Sequence, residues 1–488
     1  MTRPLSSRVL NVVRRLVATK AGEADTSDDA TAQEAQLAPP DLKKDGNTSE
    51  LGQALIPEWP KLTIDHAWRV GDLGCFLIGW CLDPAREIGS VYTEAPDGSR
   101  VPLSGSWARV DRQDVVNAYP NHSAPHDPAG FIALVRGAGL SGQLNAIIEL
   151  KMGSCMRVSA QVRPVESFRW FVRALHESYP MNHPQLGRII ADHVGPALEA
   201  AYTKETIPEC EVLEERFGLL PAKPVVSVIV PLYGRADFMR YQLALLSGDP
   251  DLSSAEIIYV VDDPRIHETA IEIASGMCEL LSTPVRIVTC GRNLGYAGAN
   301  NLGARVANGQ FLLFVNSDVL PTRPGWIGHL AAAFDSLPDA GVVGTELRYE
   351  DGSVQFAGMR SVPHDRWGGA LINVHPRKGQ SPDLVNLQVP AVSESVTGAV
   401  LAMRKADFYE VGGMDEAFHY GDFEDSALCA LVKKRGQRCF VLPWLGLYHL
   451  ERLSQGLIGD ANFRAKVTMV NAWRFTTHYA SHHGQLVS

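Results

Sequence analysis

Between Val225 and Asp318 the chain alternates runs of mostly apolar residues with longer segments of helical periodicity. The apolar runs are VVSVIVPLY, EIIYVV, VRIVTC and FLLFV, and each stops at polar or glycine residues. Such runs are typical of strands buried on both faces, because a surface strand would alternate apolar and polar residues. Strands that alternate with helices predict βαβ units and a parallel sheet. The polar loops that follow the four strands would then share one rim.

The last of these strands ends at Asn316-Ser317-Asp318, which we take as the centre of a candidate site. In open parallel sheets, ligands bind at the carboxyl ends of the strands, where loops converge over a crevice. A carboxylate placed there can hold a hard divalent cation, and the cation can hold a diphosphate. The alternative is a capping turn before the next helix, because Asn, Ser and Asp favour caps and turns.

Other loops predicted on this rim carry two adjacent acids, Asp262 and Asp263, and an Asn- and Gly-rich segment from Asn293 to Asn301. The loop after the first strand, PLYGRADF, lacks GxGxxG, and the chain contains no GxxxxGK[ST]. Dinucleotide and P-loop sites are therefore not indicated. Acids and glycines in place of basic residues indicate that a metal ion, more than lysines, would neutralise a phosphate.

Residues 61–165 and 166–222 follow different patterns. The short runs GCFLIGW, GSVYTEA, GFIALV, NAIIELKM and RVSAQV predict a β-sandwich-like module over 61–165. The segments FRWFVRALHESY, LGRIIADHV and ALEAAYTKE predict a helical connector over 166–222. Trp68, Trp80 and Trp107 of the module either stack on sugar rings or, as tryptophans more often do, fill the core.

The two ends of the chain differ in charge. Residues 1–20 carry five basic residues and no acid, and predict either an amphipathic helix on an anionic membrane surface or a basic tail. Residues 21–60 are rich in acids and predict a disordered acidic linker. The motif-bearing domain would occupy 223–455. A helical extension over 456–488 would pack its apolar stripe on that domain as a lid or an interface.

Composition limits the classes of function. The 488 residues are 45% hydrophobic and 20% charged, which is ordinary for a soluble globular protein of two to four domains. The formal net charge of −10 argues against a nucleic-acid binder. No apolar run approaches the roughly 18 residues that span a bilayer, and the N-terminus lacks the apolar core of a signal peptide. The eight cysteines include no CxxC pair, which favours reduced thiols in a cytosol.

Eight features follow one another in a characteristic order: VSVIVPLYGR, VVDD, NLGYAGANN, NSD, VTGAVLAMRK, GGMDEAF, FED and His449. In this order and spacing the chain resembles the family 2 nucleotide-sugar glycosyltransferases with the GT-A fold, particularly the rhamnosyltransferase-like branch. The resemblance covers roughly Pro224 to Glu451. The expected fold class is therefore α/β. A GT-A catalytic domain with a Rossmann-like, mostly parallel sheet would follow the small all-β sandwich-like domain and the helical connector.

The resemblance implies roles for individual residues. The donor-binding residues would be Pro231, Tyr233, Asp262, Asn293, Gly295, Asn300, Asn316 and Asp318, and the acceptor-side residues Thr397, Gly398 and Glu424. Asp318 and His449 would bind the metal, and Asp425 would be the catalytic base. Two positions depart from the family pattern: Asn316 replaces the first acid of a DxD motif, and Pro264 stands where a small polar residue is usual.

The chemistry implied at these positions fits their residue types. Glu424 and Asp425 open a predicted helix and project about 100° apart, so one of them would face the donor. Periodicity does not select between them; the resemblance selects Asp425. The helix dipole is expected to favour the ionised form of that carboxyl, as a base requires. Mg²⁺ and Mn²⁺ are the candidate cofactors, and a histidine nitrogen favours Mn²⁺.

The resemblance implies an inverting transfer of a sugar from a UDP- or dTDP-sugar to a saccharide or lipid-linked saccharide, in bacterial surface-polysaccharide or glycoconjugate assembly. We expect a cytoplasmic enzyme that makes peripheral contact with the inner face of the cytoplasmic membrane through residues 1–20 and has no nucleic-acid partner. Acceptor specificity is expected in the irregular stretch from Asp351 to Glu394. The alternative is a non-catalytic or degenerate sugar-binding protein with a β-sandwich module.

Overall fold

The computed structural model describes residues 59–94, 98–122, 128–137, 142–202, 211–451 and 460–480. The predicted basic helix or tail of residues 1–20 lies outside this range. The predicted acidic linker of residues 21–60 also lies outside it, except for residues 59 and 60. The described residues form two compact units. The first contains those between 59 and 202 together with 365–369, and the second contains 211–364, 370–451 and 460–480. None of the described helices is long and apolar enough to cross a membrane.

The first unit is built on nine strands in two sheets. The strands are β1 Lys61–Val70, β2 Gly74–Leu82, β3 Ile88–Glu94, β4 Arg100–Pro102, β5 Ala108–Val110, β6 Gly130–Arg136, β7 Gln143–Leu150, β8 Cys155–Gln161 and β9 Arg163–Pro164. One sheet has the order β5-β6-β2-β1-β9 and the other β4-β3-β7-β8. Leu77 and Phe131 of the first sheet share a core with Val91 and Ile148 of the second. This packing produces the small all-β domain that the sequence predicts.

The tryptophans of this unit belong to its packing. Trp68 is 5% exposed, and its ring stacks on His66 with the centroids 4.9 Å apart. The ring of Trp107 lies 4.9 Å from that of Phe131. A face already covered by another ring cannot stack on a sugar, so Trp68 fills the core.

The helices of the first unit are α1 Gln113–Ala118, α2 Phe168–Glu177, α3 Leu186–Arg188 and α4 Gly195–Ala201, with a π-helical stretch at Ile189–Val194 between the last two. Helix α2 begins where the Ser167 side chain accepts a hydrogen bond from the backbone of Trp170, and it buries Phe171 and Leu175. The first two segments predicted as helical are therefore helical over most of their length, and the third is helical as far as Ala201.

One part of the predicted connector is not helical. Leu213–Phe217 form strand β10, which pairs antiparallel with Val285–Thr289, strand β13, at the edge of the second unit's main sheet. Charged residues are common on edge strands, where they discourage pairing with other chains. Their charge masked the strand in the sequence.

The second unit is built on a nine-stranded sheet. Its remaining strands are β11 Val226–Leu232, β12 Ala255–Val261, β14 Phe311–Val315, β16 Ala340–Thr345, β21 Ala391–Ser393, β22 Val400–Arg404 and β23 Arg438–Leu442. The order is β10-β13-β12-β11-β14-β22-β16-β23-β21. A smaller sheet contains β15 Val319–Pro321, β17 Leu347–Arg348, β18 Val354–Phe356 and β24 Leu447–His449, and β19 Arg360–His364 pairs with β20 Ala370–Val374.

The helices of the second unit are α5 Phe238–Leu246, α6 His267–Leu281, α7 Gly295–Val306, α8 Trp326–Ser336, α9 Pro382–Val385, α10 Lys405–Glu410, α11 Glu424–Lys434 and α12 Ala461–His478, with 3₁₀ turns at Pro250–Ser253 and Pro264–Ile266. A third 3₁₀ turn, Asp365–Trp367, belongs to the first unit.

The four apolar runs of the sequence become the parallel core of this sheet. β13, β12, β11 and β14 pair in parallel, so their carboxyl ends share one rim. Beyond β14 the sheet is mixed: β22 is antiparallel to both of its neighbours, and β23 is parallel to β16. Four of the eight strand pairs in this sheet are parallel. The sequence predicts a mostly parallel sheet, so the observed share of parallel pairs is smaller than expected. Antiparallel partners were not visible in the sequence, because a doubly covered strand reads as an apolar run in either direction.

The stretch from Asp351 to Glu394 is not irregular. It contains β18, the β19–β20 hairpin, α9 and β21. These elements are three to five residues long, and strands or helices of that length leave no clear periodicity in the sequence.

A buried ion pair joins the core strands near their amino ends, away from the rim. Arg286 donates to Glu256 at 2.6 Å, and the two side chains are 2% and 3% exposed. Glu256 also accepts hydrogen bonds from the Ser227 hydroxyl and from the backbone and side chain of Asn308. Arg286 makes a second, bidentate ion pair with Glu214 on β10. This network ties β11, β12 and β13 together and attaches the edge strand.

Candidate functional site

The loop after β14 turns Asn316-Ser317-Asp318 onto the shared rim. The Asn316 backbone N–H donates to the carbonyl of Ala399, at 3.0 Å. From α5, the buried amide of Gln242 donates to the carbonyls of Asn316 and Val319, at 3.1 and 2.9 Å. Sequence reasoning missed Gln242, although a polar residue on the apolar face of a helix was a visible signal. The loop that carries Asp318 is therefore fixed from two sides.

Asp318 and His449 come together through strand pairing. Val319 at the start of β15 pairs with His449 at the end of β24. This register places His449 Nε2 3.3 Å from Asp318 Oδ1, and each residue is 7% exposed. The other ring nitrogen, Nδ1, is buried without a hydrogen-bond partner. Among the described residues, no group of three or more His, Cys, Asp or Glu side chains is placed to hold a metal ion. A metal bound here would therefore have two side-chain ligands of these types.

Asp425 lies in the first turn of α11, with its carboxylate held by backbone donors. The N–H of Gly398 donates to Oδ2 at 2.8 Å, and the N–H of Ser426 donates to Oδ1 at 2.6 Å. Burial raises the pKa of Asp425 above its ordinary value, although both hydrogen bonds oppose the change. We expected the helix N-terminus to favour the ionised form of Asp425. That expectation is wrong for the net pKa, because burial raises the pKa more than the backbone hydrogen bonds lower it.

The neighbouring carboxyl of Glu424 has a different environment. Its side chain is buried, and its Oε2 has no hydrogen-bond partner. Burial, followed by the charge of Asp425, raises the pKa of Glu424 well above its ordinary value. Backbone hydrogen bonds favour the charged form of both acids, but only Asp425 retains partial exposure.

Tyr296 connects the two halves of the rim, and sequence reasoning did not single it out. Its hydroxyl lies 2.8 Å from the carbonyl oxygen of Gly398 and 3.1 Å from Oδ1 of Asn316. Burial, with the charges of Glu424 and Asp425, raises the pKa of Tyr296 well above its ordinary value, so the phenol stays neutral and can donate. The only signal in the sequence was a large aromatic residue between the glycines of NLGYAGANN.

Gly398 fits this arrangement because it has no side chain. A Cβ at this position would lie 2.8 Å from the Tyr296 hydroxyl oxygen and 3.5 Å from Cβ of Asp425. Gly398 accepts from Tyr296 with its carbonyl and donates to Asp425 with its N–H, so the residue links the two side chains through adjacent peptide groups. Thr397, the residue before it, accepts a hydrogen bond from the N–H of Ala399 with its hydroxyl, at 3.3 Å. The predicted acceptor-side segment is therefore in contact with the predicted base.

The donor-side residues predicted after β12 and β13 form a tight turn. Asp262 accepts from the backbone N–H groups of Leu294 and Gly295, at 2.5 and 3.0 Å, and Asn293 Oδ1 accepts from Gly295 at 2.9 Å. Gly295 has a φ of +76°, a left-handed conformation that favours glycine. The carboxylate of Asp262 thus fixes the start of α7.

The remaining donor-side predictions have different outcomes. Pro231 and Tyr233 lie at the rim end of β11 and are partly exposed, as a ligand contact requires. Asn300 is fully buried, and its amide donates to the carbonyl of Tyr296 at 2.9 Å. In this structure Asn300 supports Tyr296. Pro264 starts a 3₁₀ turn after Asp263, whose side chain caps that turn.

Residues 227–391, about a third of the chain, match the family model of Glycosyl transferase family 2. The chain is 29% identical over 260 residues to the uncharacterized protein y4gI of Sinorhizobium fredii, covering 52% of this chain and 28% of that protein. It is 28% identical over 252 residues to the O-antigen biosynthesis protein RfbC of Myxococcus xanthus, covering 51% and 19%.

A third similar protein is the N-acetylglucosaminyl-diphospho-decaprenol L-rhamnosyltransferase of Mycobacterium tuberculosis, 28% identical over 189 residues, which are 35% of this chain and 61% of that protein. The chain spans less than a third of the length of the first two relatives. The match includes the four parallel core strands and the loops that carry Asp262, Tyr296 and Asp318, and it ends before Gly398, Asp425 and His449. The second unit therefore contains a domain similar to glycosyl transferase family 2, built on a mixed α/β sheet.

Proposed function

We propose that this domain transfers a sugar, with inversion, from a nucleotide-diphosphate donor to a saccharide acceptor. The observation that carries the proposal is the chain of contacts across the rim. Asp318 lies beside His449, and Tyr296 connects the loop of Asp318 to the peptide that holds Asp425. Such a transfer needs charge neutralised on the leaving diphosphate and a base for the acceptor hydroxyl. The hydroxyl of Tyr296 contacts the segments that carry or hold both groups.

Asp318 and His449 would hold a divalent ion. Their nearest atoms are 3.3 Å apart, less than the sum of two metal–ligand bonds of about 2.1 Å, so one ion can contact both. Both side chains are almost fully buried, so few waters compete for the ligand atoms. When bound, the ion would neutralise charge on the diphosphate. A nitrogen ligand favours Mn²⁺ over Mg²⁺.

Asp425 is the proposed base. Its two backbone donors orient the carboxylate, and its partial exposure leaves it open to the acceptor side, where Thr397 and Gly398 lie. The raised pKa strengthens Asp425 as a proton acceptor once it is ionised. Glu424, which is buried, serves the packing beneath it.

The donor and acceptor classes follow from the relatives. One is named for O-antigen biosynthesis, and another transfers L-rhamnose to a lipid-linked acceptor. These names support a saccharide or lipid-linked saccharide acceptor and a place in surface-polysaccharide or glycoconjugate assembly. A UDP- or dTDP-sugar as the donor is part of the proposal. The proposed location is the cytoplasm, with peripheral contact to the inner membrane face through residues 1–20.

The test is a screen of UDP-, dTDP- and GDP-sugars with saccharide acceptors, in Mn²⁺, in Mg²⁺ and in EDTA. We expect release of UDP or dTDP that EDTA abolishes and Mn²⁺ restores. His449→Ala should raise the Mn²⁺ concentration needed for half-maximal rate. His329→Ala, a change at an exposed histidine on α8, should not. Absence of metal-dependent turnover with every donor would contradict the proposal and favour a degenerate sugar-binding protein.

A further inference from the structure

The four residues before α11 have an unusual backbone. Tyr420, Gly421, Asp422 and Phe423 have φ angles of 59°, 98°, 77° and 78°. The left-handed region is sterically unfavourable for a residue other than glycine. Three such residues among four persist only where surrounding contacts determine the conformation.

This segment determines where α11 begins. The carbonyl of Phe423 accepts the hydrogen bond from Ala427, at 2.8 Å, which closes the first turn of the helix. Asp425 is in that turn. A change in the conformation of Phe423 would therefore move the Asp425 carboxylate relative to Gly398.

One side chain of α12 contacts the backbone of the segment at several points. Asn471, 1% exposed, accepts from the N–H of His419 at 3.2 Å. Its Nδ2 lies 3.0 Å from the carbonyl of His419, 2.7 Å from that of Gly421 and 3.4 Å from that of Asp422. A single amide thus satisfies backbone groups that a left-handed segment cannot pair within itself.

Further contacts dock the rest of α12 around this amide. The Thr468 hydroxyl donates to Asp422 at 2.7 Å. Arg474 forms an ion pair with Asp415 at 2.8 Å. The ring of Phe475 lies 5.5 Å from that of Phe423. Together with the hydrogen bonds of Asn471, these contacts account for a buried polar residue in the apolar stripe of α12.

We propose that Asn471 is a positioning residue: it holds Tyr420–Phe423 in the left-handed conformation and thereby fixes the carboxylate of Asp425. Its catalytic consequence rests on the proposed function of Asp425. Helix α12 lies outside residues 227–391, the part that matches the family. A helix outside the matched domain is then part of the catalytic apparatus.

The test compares Asn471→Ala and Asn471→Asp with Thr477→Ala, a change at an exposed position of the same helix. Asn471→Asp keeps the acceptor oxygen and removes the donors. A displacement of a reacting group by about 1 Å costs on the order of a hundredfold. We therefore expect kcat to fall about tenfold to a hundredfold in both Asn471 variants. The donor KM should be unchanged, because none of the hydrogen bonds and ion pairs observed for Asp318 and His449 among the described residues involves α12.

Rescue separates positioning from a loss of packing. Glycine adopts the left-handed region without cost, so adding Asp422→Gly to Asn471→Ala should recover several-fold of the lost kcat. Asp422→Gly alone should not raise kcat. A general loss of helix docking would not be repaired by this change. Lack of rescue, with kcat lowered equally by Thr477→Ala, would overturn the inference.

Amide hydrogen exchange tests the same inference without turnover. Asn471→Ala should accelerate exchange in peptides covering 418–428 more than Thr477→Ala does, whether or not the enzyme transfers any sugar. Unchanged exchange there would overturn the positioning role even if transfer is observed. Accelerated exchange together with an inactive wild-type protein would instead refute the proposed function and leave the structural part of the inference in place.

Discussion

Replacing Tyr296 by phenylalanine removes one buried hydroxyl and leaves the ring in place. The hydroxyl lies 2.8 Å from the carbonyl of Gly398 and 3.1 Å from Oδ1 of Asn316. Its single proton can serve one of them at a time, and the carbonyl is the nearer. Depriving a buried carbonyl of its donor costs about 1–3 kcal/mol of unfolding free energy. We expect a loss of stability in this range.

The same substitution should lower kcat, because Gly398, whose carbonyl accepts from Tyr296, also holds Asp425 through its N–H. Its N–H donates to Oδ2 at 2.8 Å, so a looser peptide orients the base less well. If the activation free energy rises by about 1.4–2.8 kcal/mol as a result, kcat falls roughly tenfold to a hundredfold. The donor KM should change little, since the contact between Asp318 and His449 does not involve Tyr296.

Steady-state kinetics and urea unfolding of the same samples measure both effects. Tyr179→Phe is the matched control, because this buried hydroxyl forms a hydrogen bond of 2.8 Å with His176 in the other unit. The control should lose similar stability and keep its kcat. If Tyr296→Phe keeps a normal kcat while losing as much stability as the control, Tyr296 is only a packing residue and the reasoning fails.

Three further predictions test other parts of the molecule. Asp425→Asn should abolish transfer with nearly unchanged donor affinity, whereas Asp318→Ala should weaken metal-dependent donor binding; near-normal turnover of Asp425→Asn would reassign the base to Glu424. Glu256→Gln should cost about 3–5 kcal/mol in urea unfolding at neutral pH, because it breaks a buried ion pair. Burial favours the neutral form of Glu256, but hydrogen bonds from Ser227 and Asn308 and the charge of Arg286 lower its pKa below the ordinary 4.5. The wild type's advantage should therefore shrink as the pH falls below that value, and an advantage constant to lower pH would contradict the assignment. Deleting residues 1–20 should reduce sedimentation with anionic vesicles and leave turnover on a soluble acceptor unchanged; equal sedimentation would remove the membrane role.

The features that the sequence predicted correctly are local or periodic. The four core strands of the second unit are apolar runs that end in polar residues, and each strand stops within a few residues of its predicted end. The pairing of Asp318 with His449 was accessible through the family resemblance, because both residues stand in recognisable motifs. Edge strand β10 was not predicted, since its charged residues carry no strand periodicity.

The features that the sequence did not reveal depend on contacts between distant segments. Tyr296 and Gly398 are 102 residues apart, and Asn471 is 52 residues from His419. No local pattern marks a side chain whose partner is the backbone of another loop. Asn300 had the residue type of a ligand contact, but the packing of α7 decides that it is buried.

The pKa of Asp425 shows why a local rule and the folded environment can point in opposite directions. The position of Asp425 in the first turn of α11 favours the ionised form through the helix dipole, which contributes about 0.3–1 kcal/mol at an exposed site. Burial opposes ionisation, and the carboxylate is enclosed partly by groups distant in sequence, such as Gly398. Burial outweighs the local hydrogen bonds here, so the pKa of Asp425 is raised. The sequence therefore identifies the acid and the helix it begins, and only the folded chain decides how strongly that acid holds its proton.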